Sequence, residues 1–227
     1  MMIINKLLST ILPSSVQSQL KSYYRNIRAS KDRIYRFFNR PVFKEDDGKI
    51  FVNLGCGTTN HPEFINIDSY PHRHVHYVSN IGRLDMFIDD SVDLIYASHC
   101  LEHFKYSEID RVLSEWNRVL KPGGVLRLSV PDFDKLLDIY NDTGDPDDIV
   151  EQIMGGQNNK YNYHYIIFNK NNLIKHLVCT GFTDAREWVP GSCSLTTFDD
   201  FSVYHKTVEG KVYPISLNLE ANKAKSK

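Results

Sequence analysis

The sequence predicts an α/β fold in which a parallel sheet is covered by helices on both faces. Two observations carry this. From Lys49 onward, short aliphatic and β-branched runs alternate with helical patterns. The first of these runs, Phe51-Val52-Asn53-Leu54, passes directly into the turn Gly55-Cys56-Gly57, as parallel strands do at their carboxyl ends. The chain has 227 residues, 41% hydrophobic and 24% charged, enough apolar material for a core. That balance excludes a disordered, collagen-like or low-complexity chain.

The elements follow in order. Residues 1 to 44 hold nine Lys or Arg against the single acid Asp32, so the remainder of a chain with net charge −1 is acidic. Val16, Leu20, Tyr23 and Ile27 stand at helical spacing, resumed by Ile34 and Phe38. A basic amphipathic arm over 1–44 is expected, lying on an anionic membrane surface through residues 1–40 or packed on its own acidic domain. Pro41 and Glu45-Asp46-Asp47-Gly48 form a break, and the main domain is expected over 45–220. Its strands are expected at Ile50–Leu54, Phe64–Asp68, Val75–Ser79, Val92–Ala97 and Val125–Val130. Between the last two, Ser107–Leu120 reads as a helix with Ile109, Val112, Leu113, Trp116 and Leu120 inward. Lys121-Pro122-Gly123-Gly124 stops it and turns the chain. Further on, helices are expected at Phe133–Tyr140 and Asn169–Cys179, an acidic loop at Asn141–Asp148, and late strands at Ala185–Val189 and Val212–Leu219. Residues 221–227 read as a frayed basic tail.

Cys56, Cys100, Cys179 and Cys193 show neither close pairing nor dense spacing, which disfavours a disulfide scaffold or zinc ribbon. No apolar run reaches the roughly 18 residues of a spanning helix. The opening stretch, interrupted by Asn5 and Lys6 and closed by Pro13, lacks the marks of a cleaved leader. A reduced, cytoplasmic protein is the expectation.

The sharpest chemical signal is the Gly55-Cys56-Gly57 turn, where glycines let backbone N–H groups approach a ligand. Phe64-Ile65-Asn66-Ile67-Asp68 then ends a second strand in a carboxylate able to accept from two ribose hydroxyls. A dinucleotide fold places that acid about 20 residues beyond its glycines. Here the interval is 11 residues and the third glycine is missing, so an adenosine ligand fits better than a nicotinamide or flavin.

Four segments, in order, resemble the Rossmann-like S-adenosylmethionine-dependent methyltransferases, in particular a small bacterial type. They are Val52-Asn53-Leu54-Gly55-Cys56-Gly57, Ile65-Asn66-Ile67-Asp68, Ser91-Val92-Asp93-Leu94-Ile95-Tyr96-Ala97-Ser98-His99-Cys100-Leu101-Glu102-His103-Phe104 and Leu120-Lys121-Pro122-Gly123-Gly124-Val125-Leu126. The resemblance spans about Lys49 to Asp132. It implies a sandwich with a mostly parallel seven-stranded sheet, a shortened first helix and an N-terminal helical arm, with S-adenosyl-L-methionine as cofactor. By position it puts Asn53, Gly55, Cys56 and Gly57 at the methionine part and ribose, Asp68 and Ser69 at the ribose, Asn80 and Ile81 at the adenine, and Ser98 and His99 near the transferred methyl. The family usually carries acids where Asn53 and Asn80 stand.

Methyl transfer is a displacement at a sulfonium, so alignment supplies much of the rate and a base helps a hydroxyl acceptor. His99 is the first candidate base, with Glu102, His103 and His164 completing the catalytic set. The spacing His99-x-x-Glu102-His103 could also hold a divalent metal, with His164 as a further ligand. It is similar to the Glu-x-x-Glu-His element of metal-dependent 2′-O-methyltransferases of small RNAs. The simpler reading, in which Glu102 and His103 orient the loop and no metal is bound, is the expectation. His61, His72, His74, His76, His176 and His205 have no ligand-like partners in sequence. Tyr161-Asn162-Tyr163-His164-Tyr165 falls where the resemblance implies that the fold often closes over its acceptor, and its tyrosines fit either stacking on a sugar or base or ordinary strand texture.

Relatives of this type resemble enzymes of surface-polysaccharide biosynthesis, which implies O-methylation of a sugar hydroxyl on a glycan, nucleotide-sugar or lipid-linked intermediate. Two alternatives stand: a metal-assisted RNA methyltransferase whose arm binds phosphates, and a non-catalytic binding module. DNA is not an expected partner.

Overall fold

The computed structural model describes residues 13–39, 41–42, 48–192, 194–196 and 200–225. The opening stretch through Leu12, the acidic break Glu45-Asp46-Asp47 with the expected domain start, Cys193 and the last two lysine-tail residues lie outside them.

Helix α1 spans Ser14–Phe38. Strands β1 (Phe51–Leu54), β2 (Ile65–Asp68), β3 (Tyr77–Val78) and β4 (Val92–Ser98) follow, then α2 (Ile109–Val119) and β5 (Leu120–Pro131). After these come α3 (Phe133–Thr143), α4 (Val150–Met154), α5 (Lys170–Cys179), β6 (Phe182–Glu187), the hairpin β7 (His205–Val208) and β8 (Lys211–Pro214), and β9 (Ser216–Lys223). The main sheet has seven strands in the order β3-β2-β1-β4-β5-β9-β6. β1 to β5 pair in parallel, and β9 runs antiparallel between β5 and β6. The mostly parallel seven-stranded sheet is therefore present.

Three expectations are corrected. The first helix is not merely shortened: residues 55–64 between β1 and β2 form turns, because ten residues leave no length for a helical crossover. Ala221 to Lys223 are not a frayed tail but the end of β9, with Ala221 fully buried, held by the ladders of β5 and β6 on either side. The late strand expected over Val212–Leu219 is two elements divided at Ile215, β8 pairing with β7 across the Glu209–Gly210 turn and β9 joining the main sheet.

The two faces of the sheet differ. Val52, Leu54, Ile67, Ile95, Ala97, Leu126, Leu128, Leu217 and Leu219 join Ile109, Val112, Leu113 and Trp116 of α2 and Leu173 and Leu177 of α5 in one apolar core. Alternation sends the intervening residues to the other face. There a smaller cluster of Phe51, Phe64, Leu94, Tyr96 and Trp188 with Leu195 adjoins paired polar groups. Asn53 donates to Asn66, and Glu220 receives both Arg127 and Arg186. Chain segments around Trp188 and Leu195 pack on this face. A third cluster, Leu136, Ile139, Ile149, Val208, Tyr213 and Ile215, joins α3 to the hairpin.

Helix α1 packs on the domain through a polar edge. Asp32, 5% exposed, pairs with Arg73 at 2.8 Å, Arg36 donates to the carbonyls of His72 and His76, and Arg25 donates to Asn158. Arg73 also lies over the Tyr35 ring. Of the periodic apolar residues, Leu20 and Ile27 are half-buried, whereas Tyr23, Ile34 and Phe38 are 62%, 63% and 75% exposed. None of the helices, among the described residues, is long and apolar enough to cross a membrane.

Glu220 is 6% exposed between its two arginines. Removing one partner of a buried pair leaves an uncompensated charge, so Glu220→Ala should cost about 3–5 kcal/mol in urea unfolding. A loss below about 1 kcal/mol, the range of an exposed pair, would refute this role.

Candidate active site

The site lies at the carboxyl ends of β1, β2 and β4, where the strand order reverses between β1 and β4, the usual ligand position in open parallel sheets. Gly55 and Gly57 have φ of +64° and +53°, a region that glycine enters without penalty. Gly55 is also sterically required, since a Cβ there would stand 2.7 Å from Cβ of Cys100. This contact presses the loop after β1 against the loop after β4. A Cβ on Gly57 would meet nothing within 4 Å, so that edge opens to a ligand.

Asp68, ending β2, receives the N–H of Gly57 at 2.8 Å and of Tyr70 at 2.6 Å. It ties the two loops together and remains half-buried at the crevice. Ser69 contacts the Ser79 carbonyl. Ile81 is buried beside Gly55, whereas Asn80 is exposed and its Oδ1 caps the Gly82 N–H at 2.8 Å. Asn53 does not reach the crevice: it is 3% exposed and committed to Asn66 on the polar face of the sheet. Cys56 is buried with Sγ 3.8 Å from His74 Nε2, a neighbour with no signal in the sequence. Burial pushes the thiols of Cys56 and Cys100 up, so both stay protonated packing groups.

After Ser98 the chain enters a left-handed residue, His99, at φ +49°, while its N–H bonds Ser129 O at 2.8 Å. Strain of this kind at a non-glycine residue marks functional positions. The 3₁₀ turn Leu101–His103 then directs Glu102 inward, 1% exposed. His164 arrives from the Tyr161–Tyr165 segment, held by His164 N to Met154 O at 3.1 Å and Tyr165 N to Glu102 O at 2.9 Å. Gly155 permits this approach, since a Cβ there would lie 2.6 Å from the Asn162 carbonyl. His99, Glu102, His103 and His164 thus line one cavity of about 190 Å³, together with Glu151, Gln152, Phe201 and Tyr204. The last four carried no motif in the sequence.

The electrostatics favour a charged carboxylate among imidazoles. Burial works against ionisation of Glu102, but His99, with His103 and His164 behind it, outweighs burial and holds the carboxyl below its ordinary range. Burial, partly offset by Glu102, holds His164 below the ordinary imidazole value. His99 Nε2 lies 2.8 Å from Ser216 Oγ, which donates to Phe201 O, and His99 Nδ1 lies 3.3 Å from Glu102 Oε1.

Residues 52–128 match the model of a family described as a methyltransferase domain. The fold is that of the S-adenosylmethionine-dependent methyltransferases. A SAM-dependent methyltransferase from Archaeoglobus fulgidus superposes with a TM-score of 0.50 at 17% identity, over 88% of this chain and 94% of its own. One from Methanosarcina mazei gives 0.50 at 16%, over 81% and 96%. No curated protein matches the sequence. In this methyltransferase fold the Gly55–Gly57 loop and Asp68 occupy the crevice end of β1 and β2, and the histidine cavity adjoins them across Cys100.

Two outcomes test this geometry. Gly55→Ala must meet Cys100 as well as the backbone penalty, so it should lose about 2 kcal/mol or more, while Gly57→Ala should lose only about 1–2; equal losses in urea unfolding would remove the Cys100 contact as a constraint. Burial is the first cause holding His61, His72, His74, His76 and His164 low. The unfolded chain therefore takes up protons first, and stability should fall as pH drops from about 7 towards 5. The Glu102 contribution is lost only below about pH 4.5 and does not offset this. A melting temperature flat across that window would contradict the assignment.

Proposed function

We propose that this chain is an S-adenosylmethionine-dependent methyltransferase that O-methylates a hydroxyl of a sugar in a glycan, nucleotide-sugar or lipid-linked intermediate. The observation that carries the reading is the small cavity of His99, Glu102, His103 and His164, joined to the glycine loop by the Gly55–Cys100 contact. The cofactor supplies its methyl as the electrophilic carbon of a sulfonium. Asp68 and the open edge at Gly57 suit its ribose, and Ile81 beside Gly55 offers an apolar contact to its base. Tyr204 and Phe201 give the cavity an aromatic wall suited to a sugar face, and its volume suits a single ring better than a polymer.

In this reading the protein aligns the acceptor oxygen with the methyl carbon, which is where most of the acceleration arises. His99, held on one side by Ser216, receives the hydroxyl proton through the nitrogen that faces Glu102. The carboxylate stabilises the resulting imidazolium. The charge is balanced as the sulfonium becomes a neutral thioether.

Calorimetry with S-adenosylhomocysteine is the first test: micromolar binding is expected, and Asp68→Ala should weaken it by about tenfold, or 1.4 kcal/mol. His99→Asn should lower turnover by about 10²–10⁴-fold with cofactor affinity unchanged. Labelled methyl transfer to nucleotide-sugars and lipid-linked sugars, in buffer supplied with divalent metal salts, identifies the acceptor. No cofactor binding would favour a non-catalytic module, and transfer to RNA alone would overturn the sugar reading.

A further inference from the structure

The strongest unexplained feature is Glu102. Its carboxylate is 1% exposed, yet neither oxygen has a hydrogen-bond donor; the nearby Nδ1 of His99, 3.3 Å away, lacks hydrogen-bond alignment. A buried carboxylate left unsatisfied costs several kcal/mol, so it calls for a cation. Ligand atoms of Glu102, His103 and His164 all lie within 4.8 Å of one another.

The two imidazoles are already oriented as ligands. His103 Nδ1 lies 3.0 Å from Tyr163 O, and His164 Nδ1 lies 2.8 Å from Gln152 O. A carbonyl only accepts, so each Nδ1 carries the proton, and each neutral ring keeps its lone pair on Nε2. Backbone carbonyls behind histidine ligands fix tautomer and ring direction in this way. The third imidazole points the same way: with Ser216 Oγ donating to Phe201 O, His99 donates through Nε2 and turns Nδ1 towards Glu102.

We propose that Glu102, His103 and His164 bind one divalent first-row metal ion, with His99 alongside. Two neutral imidazoles and one carboxylate suit zinc, manganese, cobalt or iron rather than calcium. Donors around one such ion, with bonds of about 2.0–2.2 Å, stand roughly 3.5 Å apart. Closing the present 4.8 Å limit requires side-chain shifts of less than about 1 Å per ligand. Three protein ligands leave coordination positions facing the cavity. Those positions fit an acceptor that offers two neighbouring oxygens, such as the vicinal hydroxyls of a sugar ring; this last assignment, unlike the site itself, rests on the methyl-transfer reading.

The test uses the full chain, treated with chelator and then titrated with Co²⁺, Zn²⁺ and Mn²⁺ by calorimetry, with visible absorption following cobalt. One equivalent of cobalt should bind with d–d bands of nitrogen and oxygen ligation. His103→Ala and His164→Ala should each weaken binding by at least about tenfold, with circular dichroism unchanged. Glu102→Gln should do the same, and if it fails to fold, the half-exposed His103 still decides the matter. Absence of stoichiometric binding at about 1 mM metal, the weak end of specific affinity, overturns the site, as does binding that survives both histidine substitutions. S-adenosylhomocysteine titrated into the metal-free protein separates the two readings. Cofactor binding without metal binding removes the metal site alone, and metal binding without cofactor binding removes the methyl-transfer reading alone.

Discussion

The functional end of this molecule depends on how closely two loops approach each other. β1 and β4 are neighbours in the sheet although three connections separate them in sequence, and their parallel pairing delivers both loops to the same edge. Gly55 has no room for a side chain because Cys100 occupies the place. Everything placed by the first loop, including Gly57 and its bond to Asp68, is therefore in fixed relation to everything placed by the second, including His99 and Glu102. A cofactor crevice and an acceptor cavity that must meet at one carbon atom need such a rigid joint, and here it is a contact between a glycine and a buried thiol.

The sheet beneath is asymmetric in chemistry. One face is an apolar core closed by α2 and α5, where hydrophobic burial supplies the driving force. The other combines a small aromatic cluster with Asn53–Asn66 and the Arg127–Glu220–Arg186 set. Buried polar groups of this kind add little net stability when paired but are costly when broken. The Arg127–Glu220–Arg186 set pins the register between β9 and its neighbours, and that register brings Ser216 opposite Pro131 and beside His99.

The strands β1, β2, β4 and the helix α2 were legible because their periodicities contrast strongly with the turns around them. Ile109, Val112, Leu113 and Trp116 are buried as their spacing requires. The end of β9 was not legible, since Asn222 and Lys223 carry no strand preference and are held by pairing with β5 and β6 and by side-chain contacts to Gly123, Asp90 and Arg118, all distant in sequence. Asn53 sits inside the most informative motif, yet alternation turns its side chain to the opposite face from Val52 and Leu54. His99, Glu102 and His103 could be found because they are adjacent in sequence. Gln152 and Tyr204 could not, because cavity walls assembled from distant segments leave no local pattern. For α1, the 3.6-residue period identified which residues share a face but not which face meets the domain.

That last feature bears on how the molecule holds together. The body of the protein is bound by burial, which salt strengthens, whereas α1 is attached by Asp32 to Arg73 and by arginines to carbonyls at the rim of the site, with its aromatic side left in water. Charge-based contacts at a surface are screened over about 8 Å at physiological ionic strength. The helix and the domain therefore answer to different solvent variables. Rising ionic strength loosens the surface contacts that tie α1 to His72 and Asn158 while it favours the burial that holds the sheet below.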